Sequence, residues 1–342
     1  MKLLEFQQHL QKEKIDVAVF IGNDPNIKYF SGFDGKYCVL EIMQNTAILY
    51  VPQMEFFRAK KSSRINVETL DDEYWQILKK KDVGMIGVNK ANMSVKTFEK
   101  LKKEFPQYLI FDIGEKCIEL RKTKTEEEIK IMEKGAEIAD KIMKKVIDNF
   151  SKLKTETEVT SFIETEAKLL GYKMAFPTIV ASGINAKIPH HVPKNEKLQK
   201  GFCIIDFGIV WNGYCTDMSR TVFIGEPNLE AKELYNKLLT LQEKCISLCL
   251  QGKPAAFVHR IAAKELGENL LHSIGHGVGV EIHEAPDLSD KSKDFIEENM
   301  VVTIEPGYYG KKHGIRIEDT IVVKKDKPIV LTKSPKELVF LT

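Results

Sequence analysis

Two aspartates stand where a folded chain can least accommodate a bare charge. Asp206 lies in CIIDFGIV, an apolar run rich in β-branched residues, and Asp217 lies in GYCTDMSRTVF, which also reads as a strand. Between them is Asn212-Gly213, the strongest short signal for a hairpin with a two-residue turn. With those two residues as the turn, Gly208 falls opposite Asp217 and Ser219 opposite Asp206. The carboxylates then become diagonal neighbours on one face, roughly 7–8 Å apart at the backbone. A buried carboxylate with no partner is expensive, so two together demand a counter-charge. Arg220 points to the other face of its strand from Ser219 and Thr221, so it serves at most part of the pair. A shared cation satisfies both.

The histidines sharpen this reading. Five of the eight, His190, His191, His272, His276 and His283, fall within a hundred residues of one another. One histidine alone would be an ordinary core or surface residue; five interleaved with acids in apolar stretches are not. His272-Ser-Ile-Gly-His276-Gly-Val-Gly-Val-Glu-Ile-His283-Glu284 has glycines that permit close backbone packing, and its VGVEIHE portion reads as a strand. The glycines are not spaced as G-x-G-x-x-G and no helix follows, so a nucleotide cradle is set aside. Glu305 ends the apolar run Val301–Ile304 just before Pro306-Gly307. In Gly314-Ile-Arg316-Ile-Glu318-Asp319, period two puts Glu318 on the same strand face as Arg316. Arg316 is thus its expected ion-pair partner, a role compatible with orienting a metal-bound carboxylate.

Asp206, Asp217, His276, Glu305 and Glu318 supply four carboxylates and one imidazole, each expected on an apolar strand. Up to four negative charges balance two divalent ions better than one. Oxygen-rich ligation favours hard or borderline ions such as Mn2+ over a thiolate zinc site. Two ions about 3.5–4 Å apart activate water for hydrolysis. The residues themselves point to a dinuclear metallohydrolase, with a phosphatase still open.

The rest of the chain frames this centre. Its 342 residues imply about two domains, at roughly 100–200 residues each. Lys+Arg is 51 against Asp+Glu 49, and no long basic run stands out, which argues against nucleic acid as a partner. The start, MKLLEFQQHLQKEK, has no apolar core of a secretory signal, and runs such as Val17–Ile21 are too short to span a bilayer. The six cysteines (Cys38, Cys117, Cys203, Cys215, Cys245, Cys249) form no Cys-x-x-Cys pair. Reduced thiols in a cytoplasm and no membrane association are therefore expected. Small-residue packing is the expected role of the cysteines.

Strands are expected at Ile15–Gly22, Tyr37–Ile42, Thr46–Pro52, Val83–Val88 and Tyr108–Ile113, with helices at Gln53–Lys61, Asp72–Lys81 and Ser94–Phe105. This half carries no titratable cluster. A domain boundary is expected near Arg121, where RKTKTEEE opens a long helix. Thr123/Glu126 and Thr125/Glu128 both match capping-box spacing. Ile129, Met132, Ala136, Ala139, Met143 and Ile147 then recur at helical spacing. Further helices are expected at Thr155–Gly171, Leu229–Leu250 and Phe257–Leu266. Strands are expected at Phe176–Ala181, Phe202–Val210, Tyr214–Phe223, Met300–Glu305 and Ile315–Val323. The fold class is α/β, more antiparallel (α+β) in the second half, with domains 1–121 and 122–342.

The pieces IIDFG, YCTDMSRT, HSIGHGVGVEIHE, TIEPGYY and GIRIEDT, in that order, resemble the metallopeptidases of the pita-bread fold: methionine aminopeptidase, aminopeptidase P and prolidase. SGFDGKYCVLEI and LYVPQMEFFRA resemble the amino-terminal domain of the proline-specific branch. The resemblance implies a creatinase-like amino-terminal domain and a catalytic domain holding two divalent ions, Mn2+ first, with Co2+, Zn2+ or Fe2+ as alternatives. Asp206 would hold one ion, Asp217 and Glu318 would bridge both, and His276 and Glu305 would complete the other. Glu305 would also exchange a proton with the attacking water. ASGINAKIPHHVP matches a family block with histidine after proline. On that basis His190 and His283 would donate hydrogen bonds to the substrate carbonyl, worth about 2.7–4 kcal/mol per donor. His272 would shape the substrate pocket and Arg316 would support the site beside it. His191 falls where the family often has a small residue and reads as local variation. Tyr308 and Tyr309 are expected either to wall the pocket or to pack in the core or at the rim.

The implied substrates are short peptides with proline second. Xaa-Pro is a tertiary amide without an N–H, so a site gripping the free amine and activating water suits it. The resemblance also implies a homodimer. Many dipeptidases of the family carry an arginine a few residues after the second histidine, placed to bind a dipeptide's carboxylate. Here the stretch reads His283-Glu-Ala-Pro-Asp287. An aspartate repels that carboxylate, so the expectation is an Xaa-Pro aminopeptidase acting on tripeptides or longer, with Xaa-Pro dipeptidase (prolidase) as the alternative. A pita-bread binding module and a metal-free creatinase-like hydrolase are opposed by the five filled ligand positions.

Overall fold

The computed structural model describes residues 2–70 and 74–341. The chain divides into two compact units, Met1–Arg121 and Lys122–Thr342.

The first unit is built on one mixed sheet. Its strands are β1 (Val17–Ile21), β2 (Val39–Met43), β3 (Ala47–Val51), β4 (Asn66–Thr69), β5 (Met85–Val88) and β6 (Leu109–Asp112), in the order β4-β3-β2-β1-β5-β6. Helices α1 (Lys2–Lys12), α2 (Pro25–Ser31), α3 (Phe56–Ser62), α4 (Tyr74–Lys79), α5 (Val95–Glu104) and α6 (Gly114–Lys122) complete the α/β pattern. The expected helix Asp72–Lys81 starts on residues outside the described set and is helical over Tyr74–Lys79. Sequence patterning did not find α1, which buries Phe6 and Leu10 at i, i+4 spacing. The Phe6 ring packs on Phe20 and Phe30 at 5.9 and 5.0 Å between centroids. Glu41 is buried on β2 and fully answered: Tyr74 donates its hydroxyl at 2.8 Å and Lys81 pairs with the other oxygen.

The second unit opens with helix α7 (Glu126–Asn149). Thr125 caps it: its hydroxyl accepts the Glu128 N–H at 3.2 Å and Glu128 accepts the Thr125 N–H at 2.7 Å. This satisfies two otherwise orphaned donors. Thr123, the other candidate cap, instead forms a bridge with Met300. Helix α8 (Glu156–Leu169) follows, then strands β7 (Lys173–Met174), β8 (Ile179–Ser182), β9 (Gly201–Phe207), β10 (Ile209–Trp211), β11 (Tyr214–Cys215) and β12 (Met218–Ile224). Helices α9 (Leu229–Leu248) and α10 (Ala255–Leu266) precede β13 (His276–Gly277), β14 (Glu284–Asp287), β15 (Val301–Ile304), β16 (Gly307–Tyr309), β17 (Gly314–Arg316), β18 (Asp319–Val322), β19 (Ile329–Val330) and β20 (Phe340–Leu341). The larger sheets run β20-β12-β9-β8 and β14-β13-β15-β18-β19. One apolar core joins α7 and α8 to β9 and β12, and another joins α9 and α10 to β15 and β18. The expected apolar face of α7 holds: Ile129, Met132, Ala136, Ala139 and Met143 are buried and Ile147 is half-buried.

The hairpin register is the one that Asn212-Gly213 dictates. Trp211 pairs with Tyr214, Phe207 with Met218 and Asp206 with Ser219. Both turn residues have positive φ, 45° and 89°, as the tight turn requires. Long strands were expected on either side of it, and the structure breaks both. The β9/β10 break falls at Gly208, where a methyl group would sit 1.8 Å from the Thr216 carbonyl oxygen. The β11/β12 break falls at Thr216-Asp217, and Thr216 turns its hydroxyl to accept the Ile209 N–H at 2.9 Å. A third expected strand, Ile315–Val323, divides at Ile317-Glu318. VGVEIHE is not a strand before Glu284. Of the four acids and one histidine assigned to strands, only Asp206 and His276 lie within one. Asp217, Glu305 and Glu318 sit where ladders end, so their side chains leave the alternation that a continuous strand imposes.

Candidate metal centre

The second unit holds a cavity of about 880 Å³ lined by Asp206, Asp217, His272, His276, His283, Glu305, Arg316 and Glu318, with His190 on the loop that follows β8. Ligand atoms of Asp217, His276 and Glu318 lie within 4.8 Å of one another, the arrangement a metal ion needs. Glu305 joins them: its Oε1 is 3.4 Å from His276 Nε2, while Asp217 Oδ2 is 3.6 Å from the same nitrogen.

The protons in this cluster can be placed. His276 Nδ1 is 3.1 Å from the Gly277 carbonyl, which only accepts, so Nδ1 carries the hydrogen. Burial keeps the ring's pKa below that of a free imidazole. Nε2 therefore turns a lone pair toward two carboxylates. Burial raises the Asp217 pKa well above the usual carboxylate range, and the charges of Glu318, Asp206 and Glu305 add to it. Glu318 is raised for the same reasons, against a hydrogen bond from Ser219 Oγ at 2.8 Å. Glu305 is raised by burial and partly relieved by His272 and Arg316.

Asp206 differs. Arg316 Nη2 donates to its Oδ2 at 2.5 Å, while its buried Oδ1 has no partner. This corrects the expectation that Arg316 pairs with Glu318. The chain leaves β17 after Arg316 and enters another sheet at Asp319, so period-two alternation does not carry across. Arg316 is buried, and its remaining donors go to Ser219 Oγ at 3.0 Å, the Pro189 carbonyl at 3.0 Å and the Tyr309 hydroxyl at 2.8 Å. Tyr309 in turn donates to His272 Nε2 at 2.8 Å, since His272 Nδ1 donates to the Ser273 carbonyl at 2.6 Å. Tyr309, expected to wall the pocket or to pack, thus also links Arg316 to His272. The His283 ring lies edge-on to His276, 4.4 Å between centroids.

These residues fit divalent cations. Four carboxylates face a single guanidinium, one buried carboxylate oxygen is orphaned, and an imidazole lone pair points at acids instead of a donor. Each of these costs free energy without a cation and favours its binding. An oxygen-rich set with one imidazole suits hard or borderline ions.

Other residues of the sequence reading fall as follows. Asp287 lines the cavity from β14, paired across the ladder with His276. Cys203 and Cys215 are buried, as are Cys245 and Cys249, whose pKa burial pushes up to about 12. His191, read as local variation, is buried and bonded to Glu156 at 2.7 Å. No sequence spacing linked those two, because the contact closes a loop between distant segments. Among the described residues, no helix is long and apolar enough to cross a membrane.

The family model for metallopeptidase family M24 matches residues 130–325, and the creatinase/prolidase N-terminal domain matches residues 2–123. An Xaa-Pro dipeptidase of Pyrococcus horikoshii is 36% identical over 99% of this chain and 97% of its own length. Among solved structures, the prolidase from Pyrococcus horikoshii OT3 superposes with TM-score 0.89 at 35% identity, covering 99% of each chain. The X-Pro aminopeptidase from Thermotoga maritima gives TM-score 0.90 at 29% identity, covering 96% of this chain and 98% of that one. With an amino-terminal creatinase/prolidase domain and a catalytic domain of pita-bread fold, the chain belongs to metallopeptidase family M24.

Proposed function

We propose that this chain is an Xaa-Pro dipeptidase, hydrolysing the peptide bond before proline in dipeptides at a centre of two divalent ions. The observation that carries the reading is the cluster of Asp206, Asp217, Glu305, Glu318 and His276, four carboxylates against one guanidinium, at the floor of a peptide-sized cavity. The full-length similarity to an Xaa-Pro dipeptidase supports the dipeptide substrate over the aminopeptidase activity expected from Asp287. Asp206 would hold one ion, His276 and Glu305 the other, with Asp217 and Glu318 between them. Mn2+ is the ion this donor set favours. Bound ions of this kind lower the pKa of water and polarise the scissile carbonyl.

The chain's own groups do the rest. Glu305, kept basic by burial, takes the proton of the attacking water and later delivers it to the proline nitrogen. His190 and His283 face the cavity and donate hydrogen bonds to the carbonyl oxygen as it gains charge. Arg316 holds Asp206 and the Pro189 carbonyl, and through Tyr309 it orients His272 beside the substrate. The burial of all six cysteines agrees with a reducing cytoplasm, and the active form is a homodimer, as the family resemblance implies.

A specific observation favours a second reading. Asp287 lines the cavity and would repel a dipeptide's carboxylate, which favours longer Xaa-Pro peptides. A length series decides between them: Ala-Pro, Ala-Pro-Ala and Ala-Pro-Ala-Ala, each with Mn2+, Co2+ or Zn2+ added to apoprotein. Dipeptidase action predicts the highest kcat/KM for Ala-Pro. A preference for the tripeptide that Asp287→Arg reverses establishes the aminopeptidase instead, and equal cleavage of Ala-Ala refutes proline specificity.

A further inference from the structure

His190 stands in the irregular stretch between β8 and β9, several residues from either strand. Residues 183–187 form a short 3-10 turn, and no regular element follows until β9. A hydrogen-bond donor that must meet a developing charge cannot rely on such a segment, because misplacement of about 1 Å can cost about 100-fold in rate. The loop is gripped on both sides of this residue. On one side, Arg316 donates to the Pro189 carbonyl at 3.0 Å. On the other, His191 turns inward, 5% exposed, and its Nε2 meets Glu156 Oε2 at 2.7 Å. His190 itself is exposed toward the cavity.

Glu156 is the anchor. It is the first residue of α8, 1% exposed, where the helix N-terminus favours a negative charge. Its Oε1 accepts from Ser182 N at 2.7 Å, Ser182 Oγ at 2.9 Å and Asn185 Nδ2 at 3.0 Å. Its Oε2 accepts from His191 and from Lys194 N at 3.1 Å. One carboxylate therefore ties the end of β8, the 3-10 turn and both residues beyond His190 to the start of a rigid helix. A small residue at position 191 would remove the only one of these bonds made by a direct neighbour of His190.

We infer that Glu156 and His191 are positioning residues, which hold His190 at the scissile carbonyl by bracing its loop against α8. The inference rests on the proposed role of His190. Its test therefore combines kinetics with a readout independent of turnover. The variants are His191→Ala, His191→Gln, Glu156→Gln and His190→Ala, together with the double variant His190→Ala/His191→Ala. Each is assayed on Ala-Pro in Mn2+ and followed by hydrogen–deuterium exchange across residues 185–194. His191→Ala should lower kcat by about 10- to 100-fold with little change in KM. It should also speed exchange at residues 190–194, and Glu156→Gln should do the same. His191→Gln, whose side-chain amide N–H can reach the same carboxylate oxygen, should recover most of both. In the His190→Ala background, His191→Ala should cost nothing further in kcat. Unchanged kcat and exchange in His191→Ala overturn the brace. An equally large kcat loss in the His190→Ala background overturns action through His190. Should His190→Ala itself be fully active, the assigned role of His190 fails, while the exchange data still decide whether the brace exists.

Discussion

Glu318 and Asp319 are neighbours in the chain, both buried, and their surroundings could hardly differ more. Burial alone would raise the Asp319 pKa, but Arg220 and Lys336 outweigh it and hold the carboxyl below its usual range. Arg220 donates at 2.8 Å, Lys336 at 2.9 Å, Gln242 at 3.0 Å and Thr332 at 2.9 Å. Glu318 has Ser219 for a donor and three carboxylates for electrostatic neighbours, and its pKa is pushed well up. The same fold therefore neutralises a buried acid completely in one place and leaves its neighbour in deficit. An acid that serves the architecture is answered by the chain's own cations; an acid in the surroundings of Glu318 would need an external ion to answer it. Glu41 in the first unit, answered by Tyr74 and Lys81, follows the first pattern.

The largest effect should come from the unanswered side. Asp217→Asn or Glu318→Gln should reduce peptidase activity by more than about 1,000-fold, beyond the loss of a single electrostatic donor. Either should leave the metal-free protein as stable as before or more so, since a repulsive buried charge is removed. Paired activity and urea-denaturation measurements check this, and a large drop in apoprotein stability would erase the contrast.

The answered side should behave in reverse. Asp319→Asn strands Arg220 and Lys336 beside a neutral group and should cost about 3–5 kcal/mol. The urea midpoint of the metal-free protein reads this directly. A cost as small as that of Glu318→Gln would show that the two acids do not differ in kind.

The smallest effect is one of sign with pH. Asp319 and Glu156 have folded-state pKa values below their unfolded ones, so their stabilisation is complete above the ordinary carboxylate range and lost as pH falls below that range through the lowered folded-state values. Asp217, Glu305 and Glu318 have raised values. They oppose folding of the metal-free protein progressively as pH rises above that range, at up to about 1.4 kcal/mol per pH unit for each proton bound differently. Thermal midpoints measured from pH 3 to 8 should therefore rise and then fall without metal. Saturating Mn2+ should remove the fall. A midpoint that climbs steadily without metal would contradict the raised values.

What was legible in the sequence was local. Asn212-Gly213 determines its own turn, and the turn determines the register that places Asp206 opposite Ser219 and Asp217 one step away. Capping of α7 was likewise contained in Thr125 and Glu128. The pairings that decide charge were not legible, because they close long loops: Arg316 with Asp206, Arg220 with Asp319, His191 with Glu156. Period-two reasoning failed for Arg316 and Glu318 for a definite cause, the transfer of the chain between sheets at Ile317-Glu318. The aminopeptidase expectation rested on one residue, Asp287. Position alone showed that it faces the cavity, whereas the choice of substrate depends on every group a carboxylate would meet there.

The close approach at Gly208 bears on how this catalyst can be altered. Any replacement there drives atoms into the Thr216 main chain, and Gly275, whose added methyl would lie 2.0 Å from the Thr303 oxygen, is equally confined. Directed-evolution libraries that randomise these two codons will yield few survivors, whatever selection is applied. Diversity is better invested along the mouth, at Val192 and Asp287, where a new specificity can be explored without prying apart the scaffold that carries the chemistry.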